Sequence, residues 1–464
     1  MNITDNITNL KVSNIWLYIK HFFTSGHPRS QNLKKNIAAS FVLKAVSIIL
    51  SLIKVPILLA YLNSEKYGVW LTIASILDWM SIFDLGLGHG FRNRFAEAIA
   101  LNDQDKAKGL VSTAYTSMSA IMLFVFLIAL PVILLLNWGK ILNTNLISEK
   151  ELKITVLMVT AVFAARFVLQ LVTVMLKALQ KPALSDVFLP VSNALILILI
   201  PILGHYIKNS LFWASAIIAI PPVLVLLIAH YILFNKKYTI YKPSLRRSDK
   251  KYLKDIYSLG LKFFVGQICG LILFSSANII LTQAVNPSEV TIYNIAYKYF
   301  SLPISYFMII ITPYWSAVTD AYCKNEFSWI KNNMRKIQYV ACTFCILILG
   351  MFLLSKWAFH IWIQDKVVIP LRLSLTLTLY NIAVVFMAPF TMFLNGFGKI
   401  KIALIVAPAK AVIFIPLAWQ FTKLWGATGL VIALFIANGL PNIYLDIKQY
   451  SLIVNKKAYG IWNK

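Results

Sequence analysis

Seven basic residues lie where charge is costly. Lys44, Lys54, Arg166, Lys262, Lys298, Arg372 and Lys410 fall inside long apolar stretches or at their ends, against three acids at comparable positions, Asp78, Asp84 and Asp186. At the centre of a membrane helix a Lys, Arg or Asp costs about 2.5–3.5 kcal/mol, so such groups turn toward an internal hollow and away from lipid. Their neighbours agree. Ser40, Lys44, Ser47, Ser51 and Lys54 recur at three- and four-residue steps, which places them on one stripe of a helix. Arg166, Gln170, Thr173 and Lys177 make a second stripe, and Asn294, Tyr297, Lys298, Ser301 and Ser305 a third. Snorkelling to an interface accounts for Lys262 and Arg372, which sit near stretch ends. For the deeper Lys54, Lys298 and Lys410, the surplus of positive charge points to an anionic ligand, a phosphate or a carboxylate.

A second constellation is FDLGLGHGFRNRFAEA, residues 83–98, with Gly86, Gly88 and Gly90 at alternate positions. A dinucleotide loop needs Gly-x-Gly-x-x-Gly between a strand and a helix, so this spacing excludes it. Small residues at the end of a membrane helix serve close approach and bending instead. Asp84 lies one turn inside that end, with Arg92 and Arg94 just outside it. The stretch reads as a hinge or gate whose charges exchange partners.

The elements that must position these residues follow from hydropathy. The chain is 59% hydrophobic and 13% charged, and apolar runs long enough to cross a bilayer core of about 30 Å recur along it. Twelve are expected, over 37–62, 68–90, 109–137, 154–176, 184–207, 211–234, 257–285, 290–318, 337–358, 368–395, 401–422 and 426–447. The net charge of +27 would suggest nucleic acid in a soluble chain. Here 29 of the 44 Lys and Arg fall in the amino terminus and every second loop, and only 8 in the alternate loops. That asymmetry puts both termini in the cytoplasm and leaves no call for a nucleic-acid partner.

Residues 14–23 are too short and polar-flanked for a cleavable signal and read as an interfacial helix. Cys269, Cys323, Cys342 and Cys345 have no histidine or second pair beside them, so neither a metal site nor a cofactor is expected. The basic linker 235–256 divides an amino-terminal lobe (37–234) from a carboxy-terminal lobe (257–447), flanked by segments 1–36 and 448–464. Eight cations in residues 235–254 make it a solvated stretch suited to anionic headgroups. Sliding the sequence by 223 lays Asn63 on Asn286, Glu97 on Asp320, Asn102 on Asn325 and Asp103 on Glu326. Six crossings per half would make such repeats parallel, related by an axis along the membrane normal.

With YGVW, FDLGLG and RN-x-x-AEA at this spacing, residues 63–103 and VSTAY (111–115) resemble the Wzx-type O-antigen and polysaccharide flippases. These belong to the multidrug/oligosaccharidyl-lipid/polysaccharide (MOP) exporter superfamily. The resemblance implies an all-α membrane protein whose two six-helix lobes form a V-shaped central cavity, as in MATE and other MOP transporters. It implies movement of an undecaprenyl-pyrophosphate-linked glycan across the bacterial inner membrane, with membrane lipids, a polysaccharide polymerase and chain-length proteins as partners. It also implies cavity cations, matching Lys298 and Lys410, and gate acids, matching Asp84 and Asp320.

The expected substrate site is therefore Lys44, Lys54, Arg166, Lys298 and Lys410. The gating or proton-coupling groups are Asp78, Asp84, Arg92, Arg94 and Asp320. Two rivals remain. A drug or metabolite exporter of the same superfamily would be expected to place carboxylates where the first crossing offers Lys44 and Lys54. A membrane polymerase or glycosyltransferase needs catalytic groups on an outer loop, and the longest such loop, 138–153, offers only Glu149 and Glu151.

Overall fold

The computed structural model describes residues 28–84 and 86–463; the side chains of 28–37, 258–263, 265, 266 and 316 also lie outside the description. The helix expected at 14–23 and the side chain of Lys262 thus fall outside the described residues. Among the described residues the chain is helical, with no strand.

The amino half comprises α1 (Pro28–Asp78), a 3-10 turn (Trp79–Asp84), α2 (Leu87–Ala100), α3 (Gln104–Leu135), α4 (Trp138–Ile141), α5 (Glu149–Leu169), α6 (Leu171–Ala178), α7 (Pro182–Asp186), α8 (Phe188–Tyr206) and α9 (Leu211–Ile232). The carboxy half holds α10 (Lys250–Phe274), α11 (Ser276–Ala284), α12 (Pro287–Phe300), α13 (Leu302–Ile311) and α14 (Tyr314–Cys323). It continues with α15 (Phe327–Leu353), α16 (Ser355–Ile363), α17 (Leu371–Phe397), α18 (Lys401–Leu434) and α19 (Leu440–Val454).

Nine helical segments of the described residues are long and apolar enough to cross a membrane, the first of 47 residues and the last of 54. At 1.5 Å per residue these would reach about 70 and 80 Å, more than twice the hydrocarbon core, so each doubles back. The breaks fall at Asn63 (φ 63°) and at Trp425–Gly426 (Gly426 φ 58°). Each returning helix is capped: the Lys66 amide donates to Asn63 Oδ1 at 3.0 Å, and the Ala427 amide to Glu289 Oε2 at 2.9 Å. Counting α12 and α13 as one further crossing gives the twelve expected.

The 223-residue shift is visible in the backbone. Asn102 and Asn325 have φ of 56° and 59°, and each is followed by the residue that precedes α3 or α15. Asn286 caps α12 through the Glu289 amide at 3.0 Å, as Asn63 caps its own helix. One pair of contacts between the halves obeys the same exchange. Thr291 Oγ1 donates to the Ser64 carbonyl at 2.7 Å. Its mate under the shift is Gly68 against Pro287, where an added Cβ would come within 1.8 Å of the Pro287 oxygen.

The linker is less free than its charge suggests. All eight of its basic side chains are exposed, yet its backbone is strapped to the amino half. The Ser244 and Asp249 amides donate to Ser112 Oγ (3.1 Å) and Thr113 Oγ1 (3.0 Å), Arg247 pairs with Asp105 at 3.3 Å, and Tyr241 packs edge-on to Phe95.

Candidate functional site

The first two polar stripes of the sequence face one another. A hollow of about 310 Å³ is lined by Lys44 and Ser47 of α1, by Arg166, Gln170, Thr173 and Lys177 of α5 and α6, and by Ser185, Asp186 and Ser192 of α7 and α8. It lies toward the end of the bundle that carries the linker. Arg166 leans over the Phe163 ring at 5.6 Å, which steadies a guanidinium without neutralising it.

Lys54 lies beside this hollow, linked through Asn193 to Ser47 of its lining. Its Nζ donates to Asn193 Oδ1 at 3.2 Å, and the Asn193 amide nitrogen lies 3.5 Å from Ser47 Oγ. Lys54 stands within electrostatic reach of Arg166 and of Lys298, and Arg166 within reach of Asp78. Lys298 crosses between the halves: its Nζ donates to the Ser51 carbonyl at 2.7 Å. One residue on, Pro56 has no amide hydrogen to give the Leu52 carbonyl, and the Trp362 indole supplies one at 3.0 Å. Residues 51–56 of α1 are thus the meeting place of three elements.

No ion pair joins Lys44, Lys54, Arg166 or Lys298 to a carboxylate among the described residues. Cations so placed, with hydroxyls and amides between them, can make charge-assisted contacts to an anion such as a phosphate.

Lys410 belongs to a different cluster. It is 9% exposed, hydrogen-bonds Asn442 Oδ1, and feels the charge of Asp446, itself 9% exposed and accepting from Thr391 Oγ1. The expected gating groups separate similarly. Asp84 accepts from the Gly88 amide at 3.1 Å and caps α2, and it lies near His89 and Tyr257. Arg94 turns to Glu97 at 2.9 Å, which holds that exposed carboxyl below its ordinary range, while Arg92 is exposed. Asp320 pairs with Lys324 of its own helix end at 2.8 Å. Only Asp78 joins the cationic cluster.

Among the glycines, Gly86 takes the left-handed turn (φ 77°) and Gly90 the close approach, where a Cβ would meet the Ile256 carbonyl at 2.0 Å. Sequence reasoning passed over Asn193 and Asp446. An amide inside the apolar PVSNALILILI (190–200) was a usable signal for the first; Asp446 looked like a residue at the end of its crossing. The loop acids Glu149 and Glu151 cap helices. They accept from the Trp138 and Gly139 amides (2.9 and 2.8 Å) and from the Leu211 and Phe212 amides (3.0 and 3.2 Å).

Comparison with known proteins accords with this architecture. A "Putative O-antigen export protein" of Yersinia pseudotuberculosis is 24% identical over 415 residues, covering 86% of this chain and 91% of that one. A "Putative O-antigen transporter" of Salmonella typhi is 21% identical over 430 residues, covering 90% and 96%. An inward-facing multidrug resistance MATE family transporter of the MOP superfamily superposes with a TM-score of 0.70 at 16% identity, over 90% of this chain and all of that one, and shares its fold. The family described as polysaccharide biosynthesis protein matches residues 33–318. The chain therefore belongs to the polysaccharide biosynthesis protein family, as a multi-pass membrane protein with the fold of the MATE and MOP transporters.

Proposed function

We propose that the chain is a flippase that carries undecaprenyl-pyrophosphate-linked oligosaccharide repeat units, of O-antigen or a related surface polysaccharide, between the leaflets of the bacterial inner membrane. The observation that carries this reading is the chain of cations running from Lys44 and Arg166, which line the polar hollow, through Lys54 to Lys298 of the carboxy half, none of them ion-paired to a carboxylate among the described residues. A pyrophosphate cannot enter hydrocarbon unaided, because the desolvation cost is prohibitive. The cradle replaces its water with charge-assisted contacts, while the polyprenyl tail stays in lipid. Similarity to O-antigen exporters supports the glycan, and the positive-inside pattern supports a cytoplasmic linker side with both termini there. The two halves act as lobes that rock, with Asp78, Asp84, Arg92, Arg94 and Asp320 as the gating or proton-coupling groups. Polysaccharide polymerase and chain-length proteins would take the product onward.

The drug-exporter reading fits less well, since the hollow favours anions. The polymerase reading loses its candidate acids to helix caps. The test is export: Arg166→Ala and Lys298→Ala, present in the membrane at normal levels, should abolish surface polysaccharide. Normal polysaccharide from both variants would overturn the cationic-site reading.

A further inference from the structure

A second hollow, of about 240 Å³, opens in the carboxy half. Its polar lining is Tyr380, Thr391 and Asn395 of α17 with Asn438 and Asn442 of the last crossing; its apolar lining includes Met308 and Phe274. No Lys, Arg, Asp or Glu lines it. Asn438 lies in a π-turn, Phe435–Gly439, set between α18 and α19, an irregularity that proteins tolerate chiefly at functional positions. The Asn442 amide donates to Asn438 Oδ1 at 3.3 Å, and Tyr380 lies beside Asn438 in the lining. The side-chain amide of Asn395 has no partner among the described residues.

From the assigned lining we propose that this hollow is a saccharide subsite, which holds a neutral sugar ring of the cargo through Asn395, Asn438 and Tyr380. The inference rests on the reading of the chain as a carrier of a lipid-linked glycan, and adds where the glycan is recognised. An apolar tail in the hollow would leave the Asn395 amide unpaired, at about 1–3 kcal/mol. A phosphate would find no cation among the lining residues, because Lys410 is already held by Asn442 beside Asp446. Carboxamides both donate and accept, as vicinal hydroxyls require, and the Tyr380 ring offers a face. The position also suits. Tyr297, the neighbour of Lys298, packs at a tilt on Tyr293 with ring centroids 5.6 Å apart, and both lie within electrostatic reach of Tyr380. Tyr297 and Tyr293 therefore connect Lys298 to Tyr380 of the hollow through the packing.

The test uses the full chain in lipid nanodiscs and two probes: a short-chain polyprenyl diphosphate bearing a neutral hexose disaccharide, and the same polyprenyl diphosphate without sugar. Asn395→Ala and Asn438→Ala should each weaken the sugar-bearing probe about tenfold and leave the bare diphosphate unchanged. Ala388→Phe, which fills the hollow without touching its polar groups, should do the same and covers the case of a misfolded Asn438 variant. Equal losses for both probes, or no loss for the sugar-bearing one, would overturn the subsite. If wild-type protein bound neither probe, the pyrophosphate cradle itself would fall, a result distinct from loss of the sugar preference alone.

Discussion

At the scale of single residues the main fact is charge without a counter-charge. Lys54 holds only a neutral amide, Asn193, and its charged neighbours within reach are two more cations. Such a lysine costs the fold about 2.5–3.5 kcal/mol. Lys54→Met should therefore leave the unfolding temperature unchanged or raise it, while export is lost. A fall in melting temperature with export retained would mark Lys54 as structural. Lys410 should behave in the opposite way. Removing it leaves Asp446 buried without its nearby cation, so Lys410→Met should lose on the order of 1–3 kcal/mol. The double variant with Asp446→Asn should recover most of that, as a thermal-unfolding cycle would show. The cations were legible in the sequence because polar residues at helical spacing in apolar runs have few alternatives. Their partners were less so: Asn193 stood out only as a lone amide in an apolar run, and the facing of Asp446 depends on the π-turn Phe435–Gly439 that precedes its helix.

At the scale of elements, the Gly-rich stretch shows how one motif divides its labour. Gly86 breaks the helix, Asp84 caps the next through the Gly88 amide, and Gly90 lets α2 meet the backbone of α10. Gly90→Leu should force the two helices apart and cost about 1–3 kcal/mol. Gly88→Ala should be tolerated, because its Cβ meets nothing nearer than Asp84 Oδ2 at 3.5 Å. Equal melting temperatures for the two variants would refute this division. The sequence expectation of a close approach thus holds at Gly90. The expected exchange of Asp84 with Arg92 or Arg94 has no counterpart in these contacts, since spacing alone does not show that a carboxylate is already occupied by a backbone amide. The linker teaches a related lesson. Its cations are solvated as composition suggests, but Ser112, Thr113 and Asp105 of the amino half bind its chain, and a pivot placed there would break those bonds.

At the scale of the whole molecule, the two halves meet by nearly symmetric contacts on the side opposite the linker. Ser64 with Thr291 and Gly68 with Pro287 are exchange mates, and deeper in, Thr72 faces Thr282 at 2.6 Å and Ser75 faces Asn278 at 2.7 Å. This polar seam closes the far side, while the hollow lined by Lys44 and Lys177 lies toward the linker side. Hydrogen bonds between neutral side chains suit a seam that must open, each being worth only about 0.5–1.5 kcal/mol net. If export proceeds by alternating access, the seam must part on every cycle. Hydroxyls 2.6 Å apart put side chains 72 and 282 within reach of a disulfide. In a background with Cys269, Cys323, Cys342 and Cys345 replaced, Thr72→Cys with Thr282→Cys should therefore stop export on oxidation and regain it on reduction, while each single variant exports throughout. Full export by the cross-linked protein would mean that the halves never separate there, and the carrier would need another route for its cargo.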